Sequence, residues 1–228
     1  MSANGEWVTL RTGQGPARVQ VHPVAGAARG TLVLGHGAGG GTDAKDLQSL
    51  LTATAHGWHV GLVEQPWRVA GRKIATRPPT LDAAWRDVLA ALLADDGPLP
   101  AAAGLPLVVG GRSAGARVAC RTSAGDPEAG LARADGVLCL AFPLHPPGKP
   151  DKSRASELAL PLGEHIPTLV VQGSADPFGS PAEVMEAVAS EPGAATHLQV
   201  VEVPGNHSPS RDQPLVTSAA LAWLDRLG

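Results

Sequence analysis

A chain of 228 residues with 18 Lys and Arg against 21 Asp and Glu has a formal net charge of −3. That balance gives no electrostatic footprint for nucleic acid or for an anionic membrane surface. No run of about 18 apolar residues occurs, so no membrane-spanning helix is expected, and with two Phe, five Trp and no Tyr the core has to be built mainly from Leu, Val and Ala. The length fits one domain of α/β type over residues 1–228. The N-terminal stretch has neither a basic nor an apolar segment of the kind a signal peptide needs. Cys120 and Cys139 sit at no metal-like spacing and read as buried reduced thiols, so a cytoplasmic location is expected.

Glu6 to Arg11 and Ala17 to Pro23 read as a hairpin about a Gly-rich turn. Thr31-Leu32-Val33-Leu34 is an unbroken apolar run, as in a strand covered on both faces, and it leads into His36-Gly37-Ala38-Gly39-Gly40-Gly41. Asp43 then offers a cap for a helix through about His56, and His59 to Val63 reads as a strand. Glu64 to Pro79 reads as a loop. Thr80 is placed to cap a helix whose Leu81, Ala84, Trp85, Val88, Leu89, Leu92 and Leu93 recur at helical spacing. Leu105 to Gly110 reads as a strand and Ala114 to Thr122 as a helix. Gly136 to Leu140 is another buried strand. Phe142 to about Ile166, with five prolines, reads as a long irregular loop. Thr168 to Val171 is a strand, Pro181 to Ser190 a helix, His197 to Val203 a strand and Leu215 to Leu227 a helix. Strands alternating with helices imply a mostly parallel sheet with helices on both faces. There is no internal repeat and no domain linker.

Between a strand and a helix stands Gly111-Arg112-Ser113-Ala114-Gly115. Strand, Gly-x-Ser-x-Gly, then helix is the setting of a nucleophile elbow. A serine hydroxyl is a weak nucleophile at neutral pH. It needs a base, a carboxylate to orient the base, and N–H donors for the oxyanion. Asp176 follows the strand ending at Val171. His207 follows the strand ending at Val203. Catalytic groups in such sheets lie just beyond the C-terminal ends of strands, and the chain order Ser113, Asp176, His207 is that of the α/β-hydrolase fold. The backbone N–H of Ala114 is the expected first oxyanion donor and that of Ala38 the second, with His36 holding the Ala38 turn. Taken singly, Ser113 reads equally well as a turn residue, while Asp176 before Pro177 reads more readily as a turn former and His207 as a surface histidine. Four segments in the right order at strand ends are what favour the catalytic reading. Glu202 is a rival acid, but within a strand it is less well placed. Metal chemistry finds no support: Gly57 separates His56 from His59, and no His-Glu-x-x-His occurs. The Gly37–Gly41 turn lacks the ending of a phosphate loop.

Leu34 to Gly40, Gly110 to Arg117, the Phe-Pro-Leu-His-Pro-Pro-Gly-Lys-Pro run at 142–150 and Gln172 to Gly179 together resemble a small lidless α/β-hydrolase branch related to the dienelactone hydrolases. That branch includes a testis-expressed protein and a subunit of a histone acetyltransferase complex. The resemblance spans about residues 30 to 225, and the 142–150 run is its most specific element. It implies an α/β-hydrolase fold without a substantial cap, with Ser113 as nucleophile, Asp176 as acid and His207 as base. Asn206 stands where many members carry Asp. Ser113 stands where dienelactone hydrolases use Cys, which argues against dienelactone as substrate.

The expected function is a serine hydrolase acting on an ester or thioester of a small molecule through an acyl-enzyme, with no cofactor. The alternative is a hydrolase-shaped scaffold for a protein partner with little catalysis. A peptidase is less favoured, since no propeller or cap accompanies the core. Basic residues collect in loops near the expected rim, and Arg72, Arg112 and Lys149 are candidates for binding an anionic substrate group. Solvated charges or loop-holding pairs are the commoner role of such residues.

Overall fold

Unbroken apolar runs govern the middle of the molecule. The computed structural model describes residues 5–99, 104–208 and 212–227. Its strands are β1 (Glu6–Thr12), β2 (Gly15–His22), β3 (Gly30–Gly35), β4 (Trp58–Glu64), β5 (Leu107–Arg112), β6 (Gly136–Leu140), β7 (Thr168–Gly173) and β8 (Leu198–Val203). They form one sheet in the order β1-β2-β4-β3-β5-β6-β7-β8. β2 runs antiparallel to both of its neighbours, and every other pairing is parallel. The parallel strands β3, β6 and β7 are buried at every residue, as sheets covered on both faces require.

Successive residues of each strand feed opposite cores. Leu32, Leu34, Val108, Leu138, Leu140, Leu169 and Val171 pack with Leu47, Leu50, Trp58, Val216, Ala220 and Trp223. Val33, Val109, Val137, Cys139 and Val170 pack with Trp85, Val88, Leu92, Val118, Leu158 and Leu162 on the other face. The helices are α1 (Lys45–Ser49), α2 (Pro66–Val69), α3 (Pro78–Leu92), α4 (Ala114–Thr122), α5 (Ala155–Gly163), α6 (Pro181–Ala187), α7 (Ala194–His197) and α8 (Gln213–Leu224); α2, α6 and α7 add Trp67, Val184 and Ala194 to the second of these cores. Each fully buried Leu or Val contributes about 1.5–3 kcal/mol relative to exposure, so the two cores, not local propensity, hold the short helices in place.

Four expectations change. The segment after Asp43 is not one helix. The carboxylate of Asp43 lies back against Gly41, so α1 starts at Lys45 without a side-chain cap. A 3-10 stretch, Leu50–His56, follows and ends at Gly57 with φ 85°. Thr80 is not the cap of α3: the helix begins at Pro78 and Pro79, in the first turn, where a missing N–H costs nothing. The 64–79 loop contains α2, again begun by a proline. The 142–166 stretch, expected to be irregular, contains α5 with Pro161 in its last turns. Proline there removes one intrahelical bond, and burial of Leu158, Pro161 and Leu162 outweighs it.

Candidate active site

β5 runs to Arg112, and α4 begins at Ala114. Ser113 turns the corner alone, at φ 50° and ψ −105°. A non-glycine residue there is strained by about 1–3 kcal/mol, and its surroundings over-determine it. Its N–H donates to the Leu140 carbonyl at 2.9 Å. A Cβ on Gly111 would lie 2.3 Å from the Gly35 carbonyl oxygen, and one on Gly115 would lie 2.3 Å from the same atom. Only glycines let the turn press against the end of β3.

Two loops meet the hydroxyl. Ser113 Oγ donates to His207 Nε2 at 2.8 Å. His207 Nδ1 donates to Asp176 at 2.9 Å and 3.1 Å. The Asp176 side chain is wholly buried, whereas His207 keeps 17% exposure. Burying a carboxylate is costly unless its lone pairs are filled, and here Gln172 Nε2 donates to Oδ2 at 2.9 Å and the Phe178 N–H to Oδ1 at 2.8 Å. The Phe178 ring stacks on the imidazole, with centroids 4.0 Å apart. Gly173 admits the histidine loop: a Cβ there would sit 2.2 Å from the Asn206 carbonyl oxygen. Glu202 is an exposed residue of β8, and the imidazole is held by Asp176 instead. This chain of hydrogen bonds can move a proton off Ser113 Oγ onto a fixed tautomer of His207.

The turn after β3 supplies the opposite wall. His36 is buried and stands 5.4 Å from Trp67, ring to ring. The Gln65 N–H donates to its Nε2 at 3.2 Å, so Nδ1 carries the proton and donates to the Gly37 carbonyl at 2.8 Å. Burial lowers the His36 pKa, which keeps the neutral form this pattern needs. A Cβ on Gly37 would lie 3.5 Å from Ser113 Cβ. Ala38 and Ala114 line the same cavity as Ser113 and His207, and Ala114 opens α4, where helix N–H groups lack intrahelical acceptors.

That cavity measures about 640 Å³. Arg112 lines it, but its guanidinium is engaged: Nε donates to the buried Asp46 at 2.9 Å, and Nη2 to the His207 carbonyl at 2.8 Å and to Ser208 Oγ at 2.6 Å. Arg112 thereby ties α1 to the histidine loop. Arg72 lines a separate cavity of about 400 Å³ with Gln14, Trp67 and Thr80. Lys149 is exposed on the turn after Pro146. Neither Arg72 nor Lys149 is among the residues that line the cavity at Ser113. Three others that the sequence reading passed over do line it: Lys45, Arg117 and Arg154. Phe178 and Gln172 were also passed over as participants, although both stand in the segment that holds Asp176. Asp46 carried no signal, since its partner lies 66 residues away.

The sheet order, the elbow after β5 and the absence of an inserted layer beyond α5 between β6 and β7 define an α/β-hydrolase fold without a lid. A family model described as an alpha/beta hydrolase domain matches residues 28–218. The chain belongs to that family. No curated protein matches it in sequence. Among solved structures, it is similar to an a/b serine hydrolase without lid from Xanthomonas campestris, with TM-score 0.69 and 19% identity over 99% of this chain and 96% of that one. An esterase from Thermogutta terrifontis, solved with propionate bound, gives 0.72 and 13% over 99% and 95%. A dienelactone hydrolase from Anabaena variabilis gives 0.67 and 18% over 97% of each. Identities this low speak for the fold alone.

Proposed function

We propose that this protein is a serine hydrolase that cleaves an ester or thioester of a small molecule. Ser113 Oγ attacks the carbonyl carbon while His207 Nε2 takes its proton, and Asp176 holds the imidazole and faces the cation that forms. The N–H groups of Ala38 and Ala114 receive the oxyanion. Collapse expels the alcohol or thiol, which takes the proton from His207, and leaves Ser113 acylated. Water, deprotonated by His207, then attacks the acyl carbon, and the proton returns to Ser113 as the acid departs. No cofactor enters these steps, and the cytoplasm, where the thiols of Cys120 and Cys139 stay reduced, is the setting that suits them.

The observation that carries this reading is the 2.8 Å contact from Ser113 Oγ to an imidazole whose other nitrogen rests 2.9 Å from a buried carboxylate. A family model for alpha/beta hydrolases over most of the chain supports it. The test is a panel of p-nitrophenyl esters and acyl thioesters given to wild type and Ser113→Ala. Turnover of at least one class, lost in Ser113→Ala, is expected. Turnover that survives the substitution would place the chemistry elsewhere. No turnover of any member would favour a protein-interaction role for the fold.

A further inference from the structure

We infer that Arg154 is an anion-binding residue of the Ser113 cavity and that the substrate carries a carboxylate or phosphate group. This rests on the hydrolase reading above. Four cationic side chains line the cavity, Lys45, Arg112, Arg117 and Arg154, against one carboxylate, Asp46. Three of these five are already matched. Arg112 holds Asp46. Arg117 grips both oxygens of Glu157 at 2.7 Å and 2.6 Å. Behind it, Arg121 bonds Glu157 and both oxygens of Asp82. Three guanidiniums therefore meet two carboxylates in this corner, and Arg154 is the one left over.

Arg154 is half-buried and forms no ion pair among the described residues. Its Nη1 donates to the Pro143 carbonyl at 2.9 Å, and its backbone N–H donates to Leu144 at 2.7 Å. Its Nε and Nη2 have no protein acceptor among the described residues. One corner of the guanidinium is thus anchored in a residue that lines the cavity, an arrangement suited to binding an oxyanion with little loss of side-chain freedom. Burial, and then the neighbouring Arg117 charge, lower its pKa. The Glu157 carboxylate acts in the opposite direction without making an ion pair to it. The proline-rich 143–150 run gains a purpose here, because Pro143 and Leu144 fix where Arg154 stands.

Two matched pairs test the inference: p-nitrophenyl glutarate against p-nitrophenyl valerate, and S-acetyl phosphopantetheine against S-acetyl pantetheine. The anionic member of one pair should show a kcat/KM about tenfold or more above its neutral partner, through KM, as expected for a hydrogen bond to a charged group. The first pair reads a carboxylate and the second a phosphate. Arg154→Gln should abolish the preference, Arg154→Lys should keep part of it, and added salt should weaken it. Calorimetric titration of Ser113→Ala with the same compounds, with and without Arg154→Gln, reads the binding without turnover. Failure of the hydrolase reading would appear as no turnover of any compound, and the titrations would then still decide on Arg154. Equal handling of charged and neutral members by wild type would overturn the inference. So would an equal loss on both members in Arg154→Gln and Arg154→Lys, which would make Arg154 a strut for the 143–150 run.

Discussion

Asp176 has no exposed side-chain surface, yet it faces His207, Gln172 and the Phe178 N–H. Its carboxylate selects the Nδ1–H tautomer and leaves Nε2 as an acceptor for Ser113. Asp176→Asn should therefore lower kcat by about 10⁴, because an amide no longer fixes that tautomer. Steady-state kinetics on the preferred ester checks this, with Glu202→Gln alongside. A loss under tenfold in Asp176→Asn with a severe loss in Glu202→Gln would reassign the acid. The residues of this relay were legible in the sequence because chemistry restricts their types and chain topology their order. Phe178 and Gln172 were not, because stacking on an imidazole and donating to a buried carboxylate leave no spacing rule. Arg72 and Lys149 drew notice as charges on loops. Which loop charge reaches the cavity is decided by loop paths that composition does not encode, and the cavity is lined by Arg117 and Arg154 instead.

The elbow and the histidine loop depend on close backbone approaches between elements. Gly115→Ala would drive a Cβ to 2.3 Å from the Gly35 carbonyl oxygen, and since backbone cannot yield cheaply, the cost should be about 1–3 kcal/mol or more. Gly163→Ala, in the last turn of α5 with nothing within 4 Å, should change stability by under about 0.5 kcal/mol. Urea unfolding of both variants compares the two, and equal effects would contradict the packing account. A second element-scale claim concerns Arg112 and Asp46, whose side chains keep 13% and 4% exposure. Asp46→Ala leaves Arg112 without its carboxylate in a mostly buried setting. It should cost about 3–5 kcal/mol and reduce kcat as well, since Arg112 also holds the His207 carbonyl. A fully stable, fully active Asp46→Ala would show that the clamp is dispensable. Strand identities were legible from apolar runs, because a strand buried on both faces leaves a continuous signature. Helix starts were less so. Pro78, Pro79 and Pro161 read as breakers in sequence, whereas burial of Leu81, Leu158 and Leu162 makes helix the cheaper choice.

At the scale of the whole molecule, stability should carry an imprint of histidine burial. The His36 pKa lies below its ordinary 6.5 chiefly through desolvation, with Glu64 and Asp43 acting to raise it and Arg68 to lower it. His22 and His59 are lowered by burial as well. Below about pH 6.5 the unfolded chain binds protons that the folded one refuses, so stability falls as pH drops from there toward the folded pKa values. Thermal unfolding between about pH 5 and 8 should show this decline, and His36→Asn should show a shallower one than wild type. An unchanged slope in His36→Asn would mean that His36 is not held neutral by the fold. The α/β-hydrolase architecture itself was legible from strand-helix alternation with the Ser, Asp, His order, and the sheet order confirms it. Beneath these predictions lies the claim that Ser113 is an activated nucleophile. The direct measurement is mass spectrometry of the folded protein after reaction with a fluorophosphonate. One adduct is expected, mapped to Ser113 and lost in both Ser113→Ala and His207→Ala. Unmodified wild-type protein at high probe concentration, or an adduct on another residue, would contradict it.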